Sequence, residues 1–323
     1  TSISPFKPAC PAGRSPTSGG GLTKIIIFEK SSTDPRMAFL FYFEHMNQIC
    51  INSKIIPGDE PALLAANRGF RYGDGLFETM KVMNGDIVLA SYHFERLFAG
   101  LSLLKFEIPR LITPEKLKQE VLSLCKRNEC EKSGRVRLTV FRGNGGLYDE
   151  GNSLQYIIEC WPVTETINRL NENGLIIDIF PVARKSCDIF CNLKSANFLP
   201  YVMAALYARE NRLNDCLVLN TPGNIADATI ANVFIIKEGV IITPALSEGC
   251  VKGVMRKYLL EKMRDAGYRI HETSVSAEAI ENADEVFLTN AINGIRWVKQ
   301  FQDKTFTNIQ TLEIYNRFIK TIL

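Results

Sequence analysis

Arg71-Tyr72-Gly73-Asp74-Gly75-Leu76-Phe77-Glu78-Thr79 sets the reading of the whole chain. Two glycines bracket an acid just before an apolar run, which predicts a backbone that turns sharply or lets a ligand come close; a plain turn would satisfy the same pattern. Downstream, two strand-like runs within 76–90 flank Asn84-Gly85-Asp86, the strongest short hairpin signal. A helix fits 92–104, with Phe94, Leu97, Leu101 and Leu104 on one stripe. A second fits 114–126, with Thr113 as N-cap and Pro114 in the first turn. Strands are expected at 135–142 and 155–161. Upstream, Gln48-Ile49-Cys50-Ile51-Asn52 reads as a short strand closed by turn residues. These elements form one α+β unit over 46–161.

Residues 162–173 are polar and turn-rich and are expected to link this unit to a larger one over 174–323. There, strands are expected at 175–181, 216–219, 233–236, 240–242 and 286–288, with helices at 199–211, 254–266 and 277–282. Residues 1–45 differ from the rest. Pro and Ser cluster between Pro5 and Gly21, and Gly19-Gly20-Gly21 is a flexible triple. They read as a disordered or non-native leader, with Met46 an alternative start.

The composition removes several classes of function. Lys and Arg total 38 against 35 Asp and Glu in 323 residues, too balanced for a nucleic-acid or polybasic membrane binder. No apolar run approaches the roughly 20 residues of a bilayer helix. Nine cysteines, an odd number with no Cys-x-x-Cys pair, fit a reduced, cytoplasmic setting without a structural metal. Only three histidines occur, His45, His93 and His271, so an enzyme built on this chain needs another proton shuttle.

Four further segments carry candidate chemistry. Arg96, in His93-Phe94-Glu95-Arg96-Leu97, is an ordinary solvated helix residue unless other anion contacts join it. One such contact is Gly249-Cys250-Val251-Lys252-Gly253-Val254-Met255-Arg256, where Gly253 opens a helix and frees the N–H groups of Val254 and Met255. Lys194, in Asn192-Leu193-Lys194-Ser195-Ala196-Asn197, lies between an apolar stretch and a helix, where burial would release its amine; most such lysines simply reach the surface. Asp227, in Gly223-Asn224-Ile225-Ala226-Asp227-Ala228-Thr229-Ile230-Ala231-Asn232-Val233-Phe234, is a carboxylate among small residues ahead of a strand, a costly place to leave it unpaired.

In order along the chain, Gly73-Asp74-Gly75-Leu76-Phe77-Glu78, His93-x-x-Arg96-Leu97, Lys194-x-x-Asn197, Gly223-x-x-x-Asp227 with Asn232-Val233-Phe234, Thr243-Pro244, Gly253-Val254-Met255-Arg256 and Ala283-Asp284-Glu285-Val286-Phe287 resemble the class IV aminotransferases. The resemblance covers about 46–323. It implies the two-domain α/β fold of this family, pyridoxal 5'-phosphate (PLP) as cofactor, and a homodimer whose partner loops close the site. It further implies that Lys194 carries the cofactor and, once released, moves the proton. Arg96 with the amides of Val254 and Met255 would hold the phosphate, and Asp227 would face the pyridine nitrogen. The family normally has Glu at that last place, one methylene longer.

Within the family, branched-chain enzymes have Tyr five residues after the lysine and a Gly-Thr-Ala stretch near the end. Here Leu199 and Thr289-Asn290-Ala291-Ile292 stand instead. The chain is more similar to 4-amino-4-deoxychorismate lyases of folate biosynthesis. These share Asn-Ala after the Ala-Asp-Glu run and an Arg-Gly-x-Gly-Gly loop, here Arg142-Gly143-Asn144-Gly145-Gly146. That loop is either a glycine turn between strands or the place where Arg142 meets a substrate carboxylate. Tyr72, Thr79 and Asn290 are expected to line the substrate. The alternatives are a transaminase for branched-chain or D-amino acids, and a class IV scaffold with impaired chemistry.

Overall fold

The computed structural model describes residues 48–323, so the expectations for 1–45 and Met46 lie outside the described residues. The first half contains β1 (Gln48–Ile51), β2 (Lys54–Pro57), α1 (Arg68–Tyr72), β3 (Gly75–Met83), β4 (Asp86–Ile87), α2 (Ala90–Leu103), α3 (Pro114–Arg127), β5 (Ser133–Arg142) and β6 (Leu154–Pro162). Its strands form an antiparallel sheet in the order β2-β1-β6-β5-β3-β4. Alternation along the strands sends Leu76, Met80, Val136, Leu138 and Ile158 to one face. There they pack on Leu97 and Leu101 of α2 and on Val121 and Leu124 of α3. Each such side chain stabilises the fold by roughly 1.5–3 kcal/mol. The same alternation turns Phe77, Thr79 and Lys81 of β3 to the opposite face.

Thr113 caps α3 by accepting from the Lys116 amide at 3.2 Å, and Pro114 opens the helix. The hairpin after β3 is shorter than its sequence suggests. Asn84 and Gly85 make the turn, but β4 is two residues long because Leu89 adopts φ 57° and starts α2 at Ala90.

The second half contains β7 (Leu175–Lys185), α4 (Leu199–Glu210), β8 (Asp215–Asn220), β9 (Ile225–Ala228), β10 (Asn232–Lys237), β11 (Val240–Pro244), α5 (Val254–Asp265), β12 (Ile270–Thr273), α6 (Ala277–Glu281), β13 (Glu285–Asn290), β14 (Gly294–Phe301), β15 (Lys304–Thr305) and α7 (Ile309–Ile314). They build a mixed nine-stranded sheet, β12-β11-β10-β13-β14-β7-β8-β9, with β15 beside β14. Phe234, Ile236, Phe287 and Ile295 meet Met255, Leu259 and Met263 of α5 in one core layer. The segment between the sheets is tied to the second. Asn171 accepts from the Trp297 amide and indole N–H, and Arg296 donates to the carbonyls of Arg169 and Ile167. Among the described residues, no helix is long and apolar enough to cross a membrane, and no group of three or more metal-type ligands comes together.

Candidate active site

The glycines around Asp74 bring the lysine segment onto the first sheet. Gly73 ends α1 in the left-handed region at φ 64°, which only glycine adopts without strain, and the backbone of Asn197 passes beside it. β3 then pairs with residues 194–196. Phe77 N–H donates to Lys194 O and Ala196 N–H donates to Gly75 O, both at 2.9 Å. From the other side, Asn192 Nδ2 donates to the carbonyls of Leu246 and Cys250, and its own carbonyl accepts from Lys252 N–H. The lysine segment thus joins β3 to the loop preceding α5.

Lys194 Nζ lies 4.5 Å from the Phe77 ring centroid and 5.6 Å from that of Phe198. Some of the residue's area stays accessible, yet its amine makes no hydrogen bond or ion pair among the described residues. Burial, then the charge of Arg96, lowers its pKa to about 7, against the opposing pull of Glu78. A buried trio stands behind it. Glu78 accepts from Arg96 Nε at 2.8 Å and Nη2 at 2.5 Å, and contacts His93 Nδ1 at 2.6 Å. Burial alone would raise the Glu78 carboxyl, but Arg96 and His93 bring it down to about 2. Burial lowers the pKa of His93 despite that carboxylate.

Arg96 Nη1 reaches Lys252 O at 3.0 Å, which sets the guanidinium beside the start of α5. Gly253 is the N-cap and supplies no side-chain partner, so the first amides of α5 stay open. A Cβ at Gly253 would run into the Asn232 carboxamide, which itself donates to Val251 O at 2.8 Å. Thr289, cross-strand neighbour of Asn232, has a buried hydroxyl with no partner among the described residues.

Asp227 is 2% exposed on β9. Tyr201 O–H donates to both its oxygens at 3.0 Å, Val251 N–H donates to Oδ2 at 2.9 Å, and Lys185 Nζ stands 3.5 Å from Oδ2. The segments that carry Lys194 and Asp227 thus both reach the loop ahead of α5, the first through Asn192 and the second through Val251 N–H, and Arg96 reaches the same loop at Lys252 O.

Other expected positions fall differently. Arg142 is turned away from Lys194. It pairs with Asp74, donates to Asn152 Oδ1 and Leu104 O, and stacks on Phe106 with its guanidinium carbon 4.3 Å from the ring centroid. There it braces the loop after β5, and the carboxylate it meets within the chain is that of Asp74. Tyr72 ends α1 and is 43% exposed. Asn290 accepts from the amides of Ile292 and Asn293 and shapes the β13–β14 turn. Thr79 does face the cleft side of β3, in register with Arg137.

Arg137 was hidden from sequence reading. Its guanidinium carbon lies 3.9 Å from the centroid of Phe77, the ring that also covers Lys194. Burial depresses its pKa against the pull of Glu159, and burial raises that of Glu159, its cross-strand partner. Alternation along β5, with Val136 and Leu138 in the core, was the available signal that Arg137 faces the other way. An open cavity of about 490 Å³ continues along this face, lined by Ile49, Leu63, Phe70, Phe141, Ile157 and Ala196 among others.

A lysine with a lowered pKa against two rings, a helix start with open amides backed by an arginine, and a buried acid on β9 are features of a cofactor-dependent enzyme of the type suggested by the motifs. The sequence profile of the amino-transferase class IV family matches residues 75–301, and the chain belongs to that family of PLP enzymes. A Methanocaldococcus jannaschii protein assigned as a branched-chain-amino-acid aminotransferase is 27% identical over 269 residues, 83% of this chain and 92% of that protein. The aminodeoxychorismate lyase of Bacillus subtilis is also 27% identical, over 76% of this chain and 83% of its own length. Among solved structures, the branched-chain aminotransferase of Thermoproteus uzoniensis with norvaline superposes with a TM-score of 0.77. It is 21% identical and covers 85% of this chain and 94% of that one, which establishes the shared fold.

Proposed function

We propose that this protein is a PLP-dependent lyase that converts 4-amino-4-deoxychorismate to 4-aminobenzoate and pyruvate. The residues present fit the cofactor. The open amides of α5, the Arg96 guanidinium beside them and the unpartnered Thr289 hydroxyl form a donor set suited to a phosphate, and Asp227 suits a protonated ring nitrogen. When bound, PLP supplies an electron sink for the carbon that carries the substrate nitrogen.

The observation that carries the lyase reading is the pair of rings over Lys194. Phe77 and Phe198 lie over the amine, and the position where branched-chain enzymes are expected to have a tyrosine holds Leu199, which is exposed. With a pKa near 7, Lys194 can take a proton at Nζ from the substrate carbon and return it to the departing enol oxygen. Aromatisation of the substrate ring then makes the step irreversible without a second keto acid. Arg137, across Phe77 from Lys194, is the proposed anchor for a substrate carboxylate, in place of Arg142.

A transaminase is the second reading, favoured by the equal 27% identity to the Methanocaldococcus protein. Incubation with 4-amino-4-deoxychorismate, and separately with branched-chain or D-amino acids plus 2-oxoglutarate, decides between them. 4-Aminobenzoate supports the lyase; glutamate formed without it overturns that reading.

We also propose a homodimer and a division into domains at 46–161 and 174–323, joined by 162–173. Exposed Leu64, Phe70 and Tyr148 support the dimer: they sit on neighbouring segments joined by a backbone bond from Gly145 N–H to Ala66 O. Light scattering of the purified protein checks the mass, and a monomer at working concentration counts against the dimer.

A further inference from the structure

We infer that Tyr201 is a positioning residue that allows an aspartate to serve at the cofactor nitrogen: its hydroxyl fills the space of the methylene that Asp227 lacks and fixes the carboxylate. This rests on Asp227 facing the cofactor. An Asp carboxylate ends about 1.5 Å short of a Glu carboxylate from the same backbone. On one side it is held through Oδ2, which faces Val251 N–H at 2.9 Å and the Lys185 amine at 3.5 Å.

Tyr201 holds both oxygens at once. It lies in the first turn of α4, packs among Phe180, Ala204 and Val218, and stacks on Phe198 with ring centroids 4.3 Å apart. Its hydroxyl is equidistant from both carboxylate oxygens, so it clamps the group about its axis. Val251 N–H and Lys185 then load Oδ2 alone. Oδ1 accepts only from Tyr201 among the described residues, and a carboxylate oxygen has capacity for about two donors. One accepting site on Oδ1 therefore stays available for a ring N–H. Phe198, stacked on Tyr201, also covers Lys194, so the clamp is continuous with the wall of the lysine.

The test is a set of four variants, Tyr201→Phe, Asp227→Glu, the double variant and Asp227→Ala. Each full-length apo-protein is titrated with PLP by fluorescence quenching, and the absorbance of the bound cofactor is followed against pH. Thermal melting of the apo forms verifies folding. Tyr201→Phe and Asp227→Glu should each weaken PLP binding by about tenfold, the first by freeing the carboxylate and the second by colliding with the hydroxyl. The double variant exchanges one hydroxyl for one methylene, and it should recover to within about threefold of the parent, which additivity does not allow. It should also recover the parent's spectral pH profile, a readout that a purely packing role would not move. Tyr201→Phe with unchanged affinity and pH profile, or a double variant no better than the singles, overturns the role of Tyr201. Asp227→Ala with unchanged PLP affinity removes Asp227 from the cofactor site, and the inference with it.

Discussion

The two walls of the Lys194 cleft are built on opposite principles. On the first side, carboxylates gather the cations around them: Glu78 holds Arg96 and contacts His93, and Asp74 holds Arg68 and Arg142. On the second sheet, donors are left open, as in the uncapped start of α5 and the Thr289 hydroxyl. A wall of satisfied pairs sets the electrostatics of the amine, whereas a wall of unmet donors binds. The first should fail by losing stability, and the second by losing ligand.

The largest effect tests the residue between the walls. Lys194→Ala should abolish turnover and leave no PLP that borohydride can trap on the chain; trapping on another lysine would move the site. On the matched wall, Glu78→Gln leaves Arg96 and His93 without their anion, and the expected loss is about 3–5 kcal/mol in urea unfolding. A smaller loss of about 1–3 kcal/mol is expected for Arg142→Ala, which leaves Asp74 with Arg68 alone and takes the donor from Leu104 O, with PLP affinity unchanged. Arg96 belongs to both walls. Its removal should weaken PLP binding by roughly 1.5–3 kcal/mol, measured on apo-protein, and an unchanged affinity would confine it to the matched wall.

The last effect is one of pH. Folded Lys194 releases its proton near pH 7, whereas in the unfolded chain it does so near 10.5. Between those values the unfolded state binds more protons, so this group makes the apo-protein more stable as pH rises through the window. Lys194→Met should flatten that part of the stability curve, and an identical curve would mean the amine is not perturbed.

The sequence was most readable where structure is local. Thr113 with Pro114, the Phe94 to Leu101 stripe and Asn84-Gly85 each act within a few residues, and the corresponding helices and turn form. β14 was missed because Ile295-Arg296-Trp297-Val298-Lys299-Gln300 mixes charge into a strand that pairs locally with β13 but owes its place inside the sheet to β7, far away in sequence. Arg142 misled for the same reason. Its glycine-rich neighbourhood suggested a ligand contact, but the groups that claim it, Asp74 and Leu104 O, lie 68 and 38 residues away. Arg137 carried no local signal beyond strand alternation. Lys194, Asp227 and Gly253 stand out in the sequence because a lysine, an acid and a glycine are unusual at those places.

The strap between 194–196 and β3 has a consequence for exchange with solvent. The amides of Phe77 and Ala196 are locked into one small ladder, and the Lys252 amide is tied to it through Asn192. These three amides, from three distant parts of the chain, should exchange with deuterium as one cooperative unit whose opening is the release of the lysine segment. Bound cofactor would slow all three by a common factor, so the proton traffic of the backbone becomes a gauge of how firmly the two sheets grip their shared residue.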